Sequence, residues 1–190
     1  MPRPSLPETL YIDRIASPIG TMLVVHDGQG RVRGLDFSDC APRMRQLFRR
    51  QYGVEGTDYV IQDGAAPEIV RRALASYFAG DLDAIDGIPI AAAGTEFQRA
   101  VWTALRRIRP GTTMSYGALA RQLGRPRSVC AVGLANGANL IGIVVPCHRV
   151  IGTDASLTGY GSGIDRKRWL LTHEGASFRD PLARHVRRVG

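Results

Sequence analysis

Residues 143–151 read Ile143-Val144-Val145-Pro146-Cys147-His148-Arg149-Val150-Ile151, a cysteine–histidine pair between a proline and an arginine, with β-branched runs on both sides. The proline removes a backbone donor and biases Val145 toward extended geometry. This predicts a buried, kinked, extended segment that aims its side chains rigidly. A free thiol, with a pKa of about 8.5, is mostly protonated at neutral pH. A nucleophilic Cys147 therefore needs a base or a cation, and His148 and Arg149 are the nearest in sequence. Adjacent residues of a strand point to opposite faces, so contact between Cys147 and His148 requires a turn or a bridging water. The dipeptide alone decides nothing, because free cysteine is most often simply part of a core.

The chain of 190 residues is long enough for one large or two small domains with a core of their own. Its composition, 44% hydrophobic and 22% charged, is that of a soluble globular protein. It contains no apolar run near the roughly 20 residues that cross a bilayer, and Met1 to Ser5 is not followed by an apolar signal core. Cys40, Cys130 and Cys147 are scattered and odd in number, which argues for reduced thiols in the cytoplasm rather than a disulfide framework. Their spacing does not resemble a zinc site, and no metal or cofactor is expected.

Charge is divided unevenly. Residues 1–94 carry 10 basic and 12 acidic side chains, residues 95–190 carry 15 and 5, and the formal net charge is +8. Between Phe97 and Thr153 there are eight arginines and no acid. A field of one sign attracts polyanions and speeds association with nucleic acid, so the second half reads as a DNA-facing domain. Arginine outnumbers lysine 24 to 1, and Lys167 is the single lysine. It is a candidate for a compact point charge that a guanidinium cannot replace.

Outward from the central segment, the N-terminal half opens as a β-meander. Leu10–Ser17 and Thr21–His26 are joined by Ser17-Pro18-Ile19-Gly20, and Arg31–Phe37 follows the turn Asp27-Gly28-Gln29-Gly30. His26, at a strand end, is expected at the surface. Helices are predicted over Arg43–Tyr52 and Pro67–Phe78, and the acidic stretch Asp81–Gly94 reads as an interdomain connection. Thr95 and Gln98 fit a capping box for a helix that places Phe97, Val101, Leu105 and Ile108 on one face, with Trp102 in the core. Ser115–Leu123 and a second helix from Ser128, as N-cap, through Ala135 flank the turn Gly124-Arg125-Pro126-Arg127, a helix-turn-helix pattern. Ala131, Gly133 and Ala135 give the second helix little packing surface, which predicts close approach by a nucleic-acid backbone or by a neighbouring helix. A Gly-rich loop, Gly159-Tyr160-Gly161-Ser162-Gly163, precedes a helix capped by Asp165, and the segment Arg179–Gly190 reads as a basic, mobile tail.

Pro146-Cys147-His148-Arg149-Val150 is preceded by Ala135-Asn136-Gly137-Ala138-Asn139 and followed by Gly159-Tyr160 and Trp169-Leu170-Leu171-Thr172-His173-Glu174. In that setting it resembles the O6-alkylguanine-DNA alkyltransferases, also called methylated-DNA–protein-cysteine methyltransferases. The resemblance extends over 97–175, and the Ser17-Pro18-Ile19-Gly20 hairpin resembles the family's N-terminal domain. It implies an α/β (α+β) fold with a ribonuclease H-like N-terminal domain over 1–94. A winged-helix-like domain with a helix-turn-helix would cover 95–175, followed by a basic tail over 176–190. The implied partner is double-stranded DNA carrying O6-alkylguanine, met by a monomer that can assemble cooperatively along the duplex; O4 of thymine is a second candidate alkyl donor.

Enzymes that act on a base generally extrude it from the duplex. On the family pattern Cys147 attacks the alkyl carbon and keeps the group, so each molecule acts once. His148 takes the thiol proton through a water, Glu174 orients the imidazole, and Tyr116 hydrogen-bonds the leaving guanine. Asn139 braces the recognition helix against the active segment. The backbone of Val150 reads the exocyclic amine, Gly161 faces O6, Tyr160 walls the pocket, and Lys167 falls near it. Arg125, Arg127, Ser128, Cys130, Ala131 and Ala135 are the implied DNA contacts. One departure stands out: Cys130 occupies the position of the family's arginine that fills the space left by the flipped base. Two other readings, a lesion-sensing DNA-binding protein without chemistry and a helix-turn-helix regulator, leave Cys147, His148 and Glu174 without a joint role. A papain-like thiol hydrolase leaves the basic field unexplained.

Overall fold

The computed structural model describes residues 7–180. Its N-terminal half is built on a four-stranded sheet of order β3-β2-β1-β4. Strands β1 (Glu8–Ser17), β2 (Gly20–Asp27) and β3 (Val32–Phe37) form the antiparallel meander expected from the sequence. Gly20 closes the first hairpin at φ +125°, a conformation that favours glycine, and Ser17 Oγ donates to the Gly20 carbonyl at 2.6 Å. The buried Asp27 carboxylate organises the second turn by accepting from the backbone of Gln29 and Arg31. A fourth strand that no alternation announces, β4 (Tyr59–Asp63), pairs parallel with β1. His26 is a correction to the sequence reading. It is 7% exposed, and its ring stacks on Tyr11 at 5.5 Å, because a register shift between Val25 and His26 keeps it within the sheet.

Helix α1 (Ala41–Tyr52) lies on this sheet through Met44, Leu47 and Phe48. Gly34 permits the contact: a Cβ there would fall 2.7 Å from Phe48 Cε2 and 2.9 Å from Met44 Cε. Helix α2 (Glu68–Phe78) buries Val70, Leu74 and Tyr77, with Pro67 at its N-cap rather than in its first turn. The stretch Asp81–Gly94 is more than a connection. It makes a 3₁₀ turn at Ala84–Gly87, buries Ile85 and Ile88, and hydrogen-bonds both backbone groups of Val32 at the edge of β3. Further along the same strand, Leu35 donates to the Leu140 carbonyl and accepts from Gly142 N, both at 2.8 Å. The β3 edge thus carries chain from the second half, and a single hydrophobic cluster runs through both halves.

In the second half, α3 (Glu96–Leu105) begins with the predicted capping box, in which Thr95 and Gln98 exchange side chain-to-backbone bonds of 3.2 and 2.9 Å. Ile108 is buried just beyond its end. A short parallel pair, β5 (Met114–Ser115) with β6 (Val150–Ile151), ties this half together. Helices α4 (Tyr116–Gln122) and α5 (Val129–Gly137) form the helix-turn-helix. Ser128 holds the N-cap position of α5 but makes no side-chain capping bond. Helix α6 (Ile164–His173) starts after Gly163, so Asp165 sits in its first turn instead of capping it. At the start of the expected tail, Arg179 N donates to the Ala155 carbonyl at 2.7 Å, and Asp180 takes a 2.8 Å bond from Arg168, so both residues are tied to the preceding chain. The rest of the tail, and Met1–Ser5, lie outside the described residues.

Substituting Gly34→Ala is expected to overpack the sheet against α1 and cost about 1–3 kcal/mol. The urea midpoint would measure this, with the slope of the transition unchanged.

Candidate active site

Residues Cys147–Arg149 form one 3₁₀ turn running directly into β6, in place of the kinked extended segment expected from the sequence. With three residues per turn, successive side chains leave the backbone about 120° apart. Cys147, His148 and Arg149 can therefore be used in three directions by different parts of the fold, which resolves the opposite-face difficulty of a strand. The approach to the turn is unusual. Ile143, a buried β-branched residue, has φ +67°, a genuine outlier for this residue type.

Cys147 is 7% exposed. Asn139 Nδ2 lies 3.1 Å from its sulfur and donates to the Val145 carbonyl at 2.9 Å, while Asn139 Oδ1 accepts from Ile141 N at 2.9 Å. This asparagine, just past the end of α5, thus fixes the loop and the thiol together. Burial pushes the thiol pKa up, against the opposing pull of the Asn139 bond and of the Arg43 and Lys167 charges. The resting group is a protonated thiol that needs a base.

His148 is fully buried, and its Nε2 meets Glu174 Oε1 at 2.9 Å. A carboxylate only accepts, so Nε2 carries the proton and Nδ1 presents a lone pair. Nδ1 has no hydrogen-bond partner among the described residues. Burial lowers the imidazole pKa, with the Glu174 bond pulling the other way. Glu174, immediately after α6, also receives Arg149 Nε on Oε2 at 2.9 Å and Arg149 Nη2 on Oε1 at 2.8 Å. Burial would raise its pKa, but the His148 and Arg149 bonds outweigh that and hold it well below the usual carboxylate range. The remaining Arg149 nitrogen, Nη1, donates to the Ile108 carbonyl at 2.5 Å.

The thiol borders a cavity of about 70 Å³ lined by Tyr116, Tyr160, Asn136 and a group of glycines. Two larger surface clefts, of about 430 and 580 Å³, lie away from it, and a third, of about 580 Å³, meets it only at Gly161 and Ser162. Tyr116, at the start of α4, reaches the Thr158 hydroxyl at 3.4 Å, and the Tyr160 ring stands edge-on to His148 at 6.4 Å. Lys167 is fully buried and clamps the carbonyls of Val150 and Thr158 at 2.6 and 3.2 Å, with burial lowering its pKa to about 8. Gly161 lies under the Arg43 guanidinium, where a Cβ would approach to 2.3 Å of Cζ.

The outer side of α5 carries Cys130, Ala131 and Leu134, the last 77% exposed, and Arg125 and Arg127 flank it in the exposed turn. Ala135 is a correction to the expected DNA contacts. It is 2% exposed on the packing side, and its carbonyl takes the Trp102 indole N–H at 2.8 Å. The small residues of α5 thus serve both alternatives, Ala135 the neighbouring helix and Ala131 the open face.

Arg149, read in the sequence as a cation beside Cys147, is engaged instead by Glu174. Three functional neighbours escape the sequence reading: Asp36, Arg43 and Tyr77, all from the first half. Asp36 accepts from Arg43 Nη1 at 2.6 Å and from Ser162 Oγ at 2.7 Å, and Arg43 Nη2 also caps the Gly137 carbonyl at 2.9 Å. Tyr77 Oη donates to Glu174 Oε1 at 2.7 Å. Apart from the Asp36–Arg43 pair, seven residues apart, these contacts span 94 to 126 residues of sequence, beyond the reach of any local pattern.

Residues 96–176 match the family described as 6-O-methylguanine DNA methyltransferase, DNA binding domain. A methylated-DNA–protein-cysteine methyltransferase of Salmonella typhimurium is 51% identical, covering 87% of this chain and 96% of the relative. One from Methanosarcina acetivorans is 40% identical, covering 88% and 99%. Among solved structures, Mycobacterium tuberculosis OGT in complex with DNA is 38% identical at a TM-score of 0.70, over 88% of this chain and 92% of that one. The O6-methylguanine-DNA methyltransferase of Pyrococcus kodakaraensis is 26% identical at 0.61, over 88% and 99%.

Folding lowers the proton affinity of both His148 and Glu174, so the unfolded chain binds more protons and acid destabilises the fold. The His148 contribution is lost as pH falls below about 6.5 and that of Glu174 below about 4.5. The urea midpoint is therefore expected to fall in two stages on acidification. Glu174→Gln, which leaves Arg149 buried without its counter-charge, should cost about 3–5 kcal/mol at pH 7 and shrink the lower stage, to which Asp13 and Asp27, with lowered pKa values of their own, still contribute.

Proposed function

The chain belongs to the methylated-DNA–protein-cysteine methyltransferase family, and we propose that Cys147 is the residue that accepts the alkyl group. The family's reaction is direct-reversal DNA repair, transferring an alkyl group from O6 of guanine to a protein cysteine. One observation carries the assignment: His148 is held through Nε2 by Glu174 with Nδ1 unpartnered, one residue from a buried thiol that Asn139 holds in a cavity.

In this reading His148 Nδ1 takes the Cys147 proton through a water, and Glu174 stabilises the imidazolium that forms. The thiolate attacks the alkyl carbon in line. The S–C bond forms as the C–O6 bond breaks, and the bonding pair leaves with the base. Tyr116 hydrogen-bonds the guanine ring as charge builds there, and the proton the ring gains balances the one Cys147 gave up to His148. The thioether has no route back to a thiol, so each molecule transfers once. Val150, held by Lys167, and Gly161 present backbone groups to the base, and Tyr160 closes the wall.

Because Cys147 is 7% exposed, the base has to leave the duplex and enter the protein, an unstacking that costs a few kcal/mol. The exposed side of α5, with Arg125, Arg127, Ser128, Cys130 and Ala131, supplies the DNA-facing surface. No helix among the described residues is long and apolar enough to cross a membrane. The three free cysteines fit a reducing, cytoplasmic location.

Incubation with a duplex carrying one O6-methylguanine, followed by intact mass and peptide mapping, tests the assignment. One methyl per molecule on Cys147 is expected, and none for Cys147→Ser; a methyl on Cys130 overturns it. Cys130→Arg is expected to speed transfer on the same duplex by roughly tenfold, about 1.4 kcal/mol of barrier. Equal single-turnover rates would dismiss a cost of cysteine at that position.

A further inference from the structure

Glu174 Oε1 has three donors: His148 Nε2 at 2.9 Å, Arg149 Nη2 at 2.8 Å and the Tyr77 hydroxyl at 2.7 Å. Tyr77 is completely buried, on the last turn of α2 in the other half of the chain. Both of its ends are tied to the end of α6. Its hydroxyl reaches Glu174, and its carbonyl meets His173 Nε2 at 2.8 Å, with the two rings packed edge to face at 5.3 Å. The carboxylate is already paired by the two bonds from Arg149 and the bond from His148, so the phenol is not needed to neutralise it. A phenylalanine would fill the same apolar space, contributing equally to the helix face built by Val70 and Leu74.

We propose that Tyr77 is a positioning residue for alkyl transfer: by sharing Glu174 Oε1 with the His148 N–H, its hydroxyl sets how strongly the carboxylate holds the imidazole and stabilises its protonated form. The inference rests on the reading of His148 as the base. An acceptor oxygen that takes an additional O–H bond has less charge to offer the neighbouring N–H. The hydroxyl therefore acts in the same direction as burial, favouring a neutral His148 before reaction. The other titratable groups around the pair are the same residues in the chain with and without the hydroxyl: Arg149 and Glu174 itself, Lys167 on α6, His173, and Tyr160 and Cys147 across the cavity.

Removing the hydroxyl leaves Oε1 more basic and raises the His148 pKa. Transfer needs neutral His148, so the acid limb of the rate profile moves to higher pH. In single-turnover transfer to an O6-methylguanine duplex, Tyr77→Phe is expected to shift that limb up by about half to one pH unit. NMR titration of the His148 ring in the DNA-free protein should show the same displacement. In a Glu174→Gln background the Phe substitution should produce no shift. A Tyr77→Phe profile and His148 titration superimposable on those of the unaltered chain would overturn the proposal, whatever happens to the melting temperature. Failure of the underlying reading looks different: His148→Gln would then keep the acid limb, and the Tyr77 proposal would fall with it. Loss of the limb in His148→Gln with no shift in Tyr77→Phe would remove only the role of Tyr77.

Discussion

A carboxylate in an apolar interior survives as an anion only when its lone pairs are taken and its charge is matched. Glu174 meets that demand with four bonds from three residues, drawn from two separate parts of the fold. His148 and Arg149 belong to the turn that carries the thiol, Tyr77 belongs to the N-terminal half, and Glu174 itself ends α6. Arg149 in turn reaches back to the end of the segment following α3 through the Ile108 carbonyl. The buried ion pair thus fixes the relative positions of the nucleophile turn, α2, α3 and α6. The site is as rigid as the packing around it.

A second polar knot works on the opposite wall. Asp36 holds Arg43 and Ser162, and Arg43 lies against Gly161 while capping the last carbonyls of α5. Gln51 adds a 2.7 Å bond to the Ala138 carbonyl. The N-terminal half thereby anchors both the C-terminal end of α5 and the glycine-rich loop beside the cavity. Neither element has the side-chain bulk to hold its own position. The edge of β3, with its backbone bonds to residues 140 and 142, aligns these contacts with the asparagine that holds the thiol.

Local physics in the sequence carries much of this. The capping box at Thr95, the hairpin at Ser17–Gly20, the helix-turn-helix and the reactive segment all depend on neighbours within a few residues, where spacing and residue type are informative. The strand β4, the burial of His26 and the docking of 81–94 onto β3 depend on which surfaces meet, and a short polar stretch does not advertise its partner. In the site, Cys147, His148, Asn139 and Glu174 were legible through their motif. Tyr77, Arg43 and Asp36 were not, because hydrogen bonds to partners 94 to 126 residues away leave no periodicity behind. The 3₁₀ turn at Cys147–Arg149 falls between these cases: the proline announces an irregularity without fixing its geometry.

The burial of Lys167 reaches beyond the active site. It is the only lysine in the chain, and its ammonium is enclosed between two carbonyls. All other side-chain cations are guanidinium groups, which stay charged at any physiological pH. Lysine acylation, a common means of tuning how tightly a protein grips a polyanion, finds no side-chain amine at this surface. The positive field that meets DNA is a constant of the molecule. Amine-directed labels or supports would find no exposed lysine and would leave the arginine face unmodified.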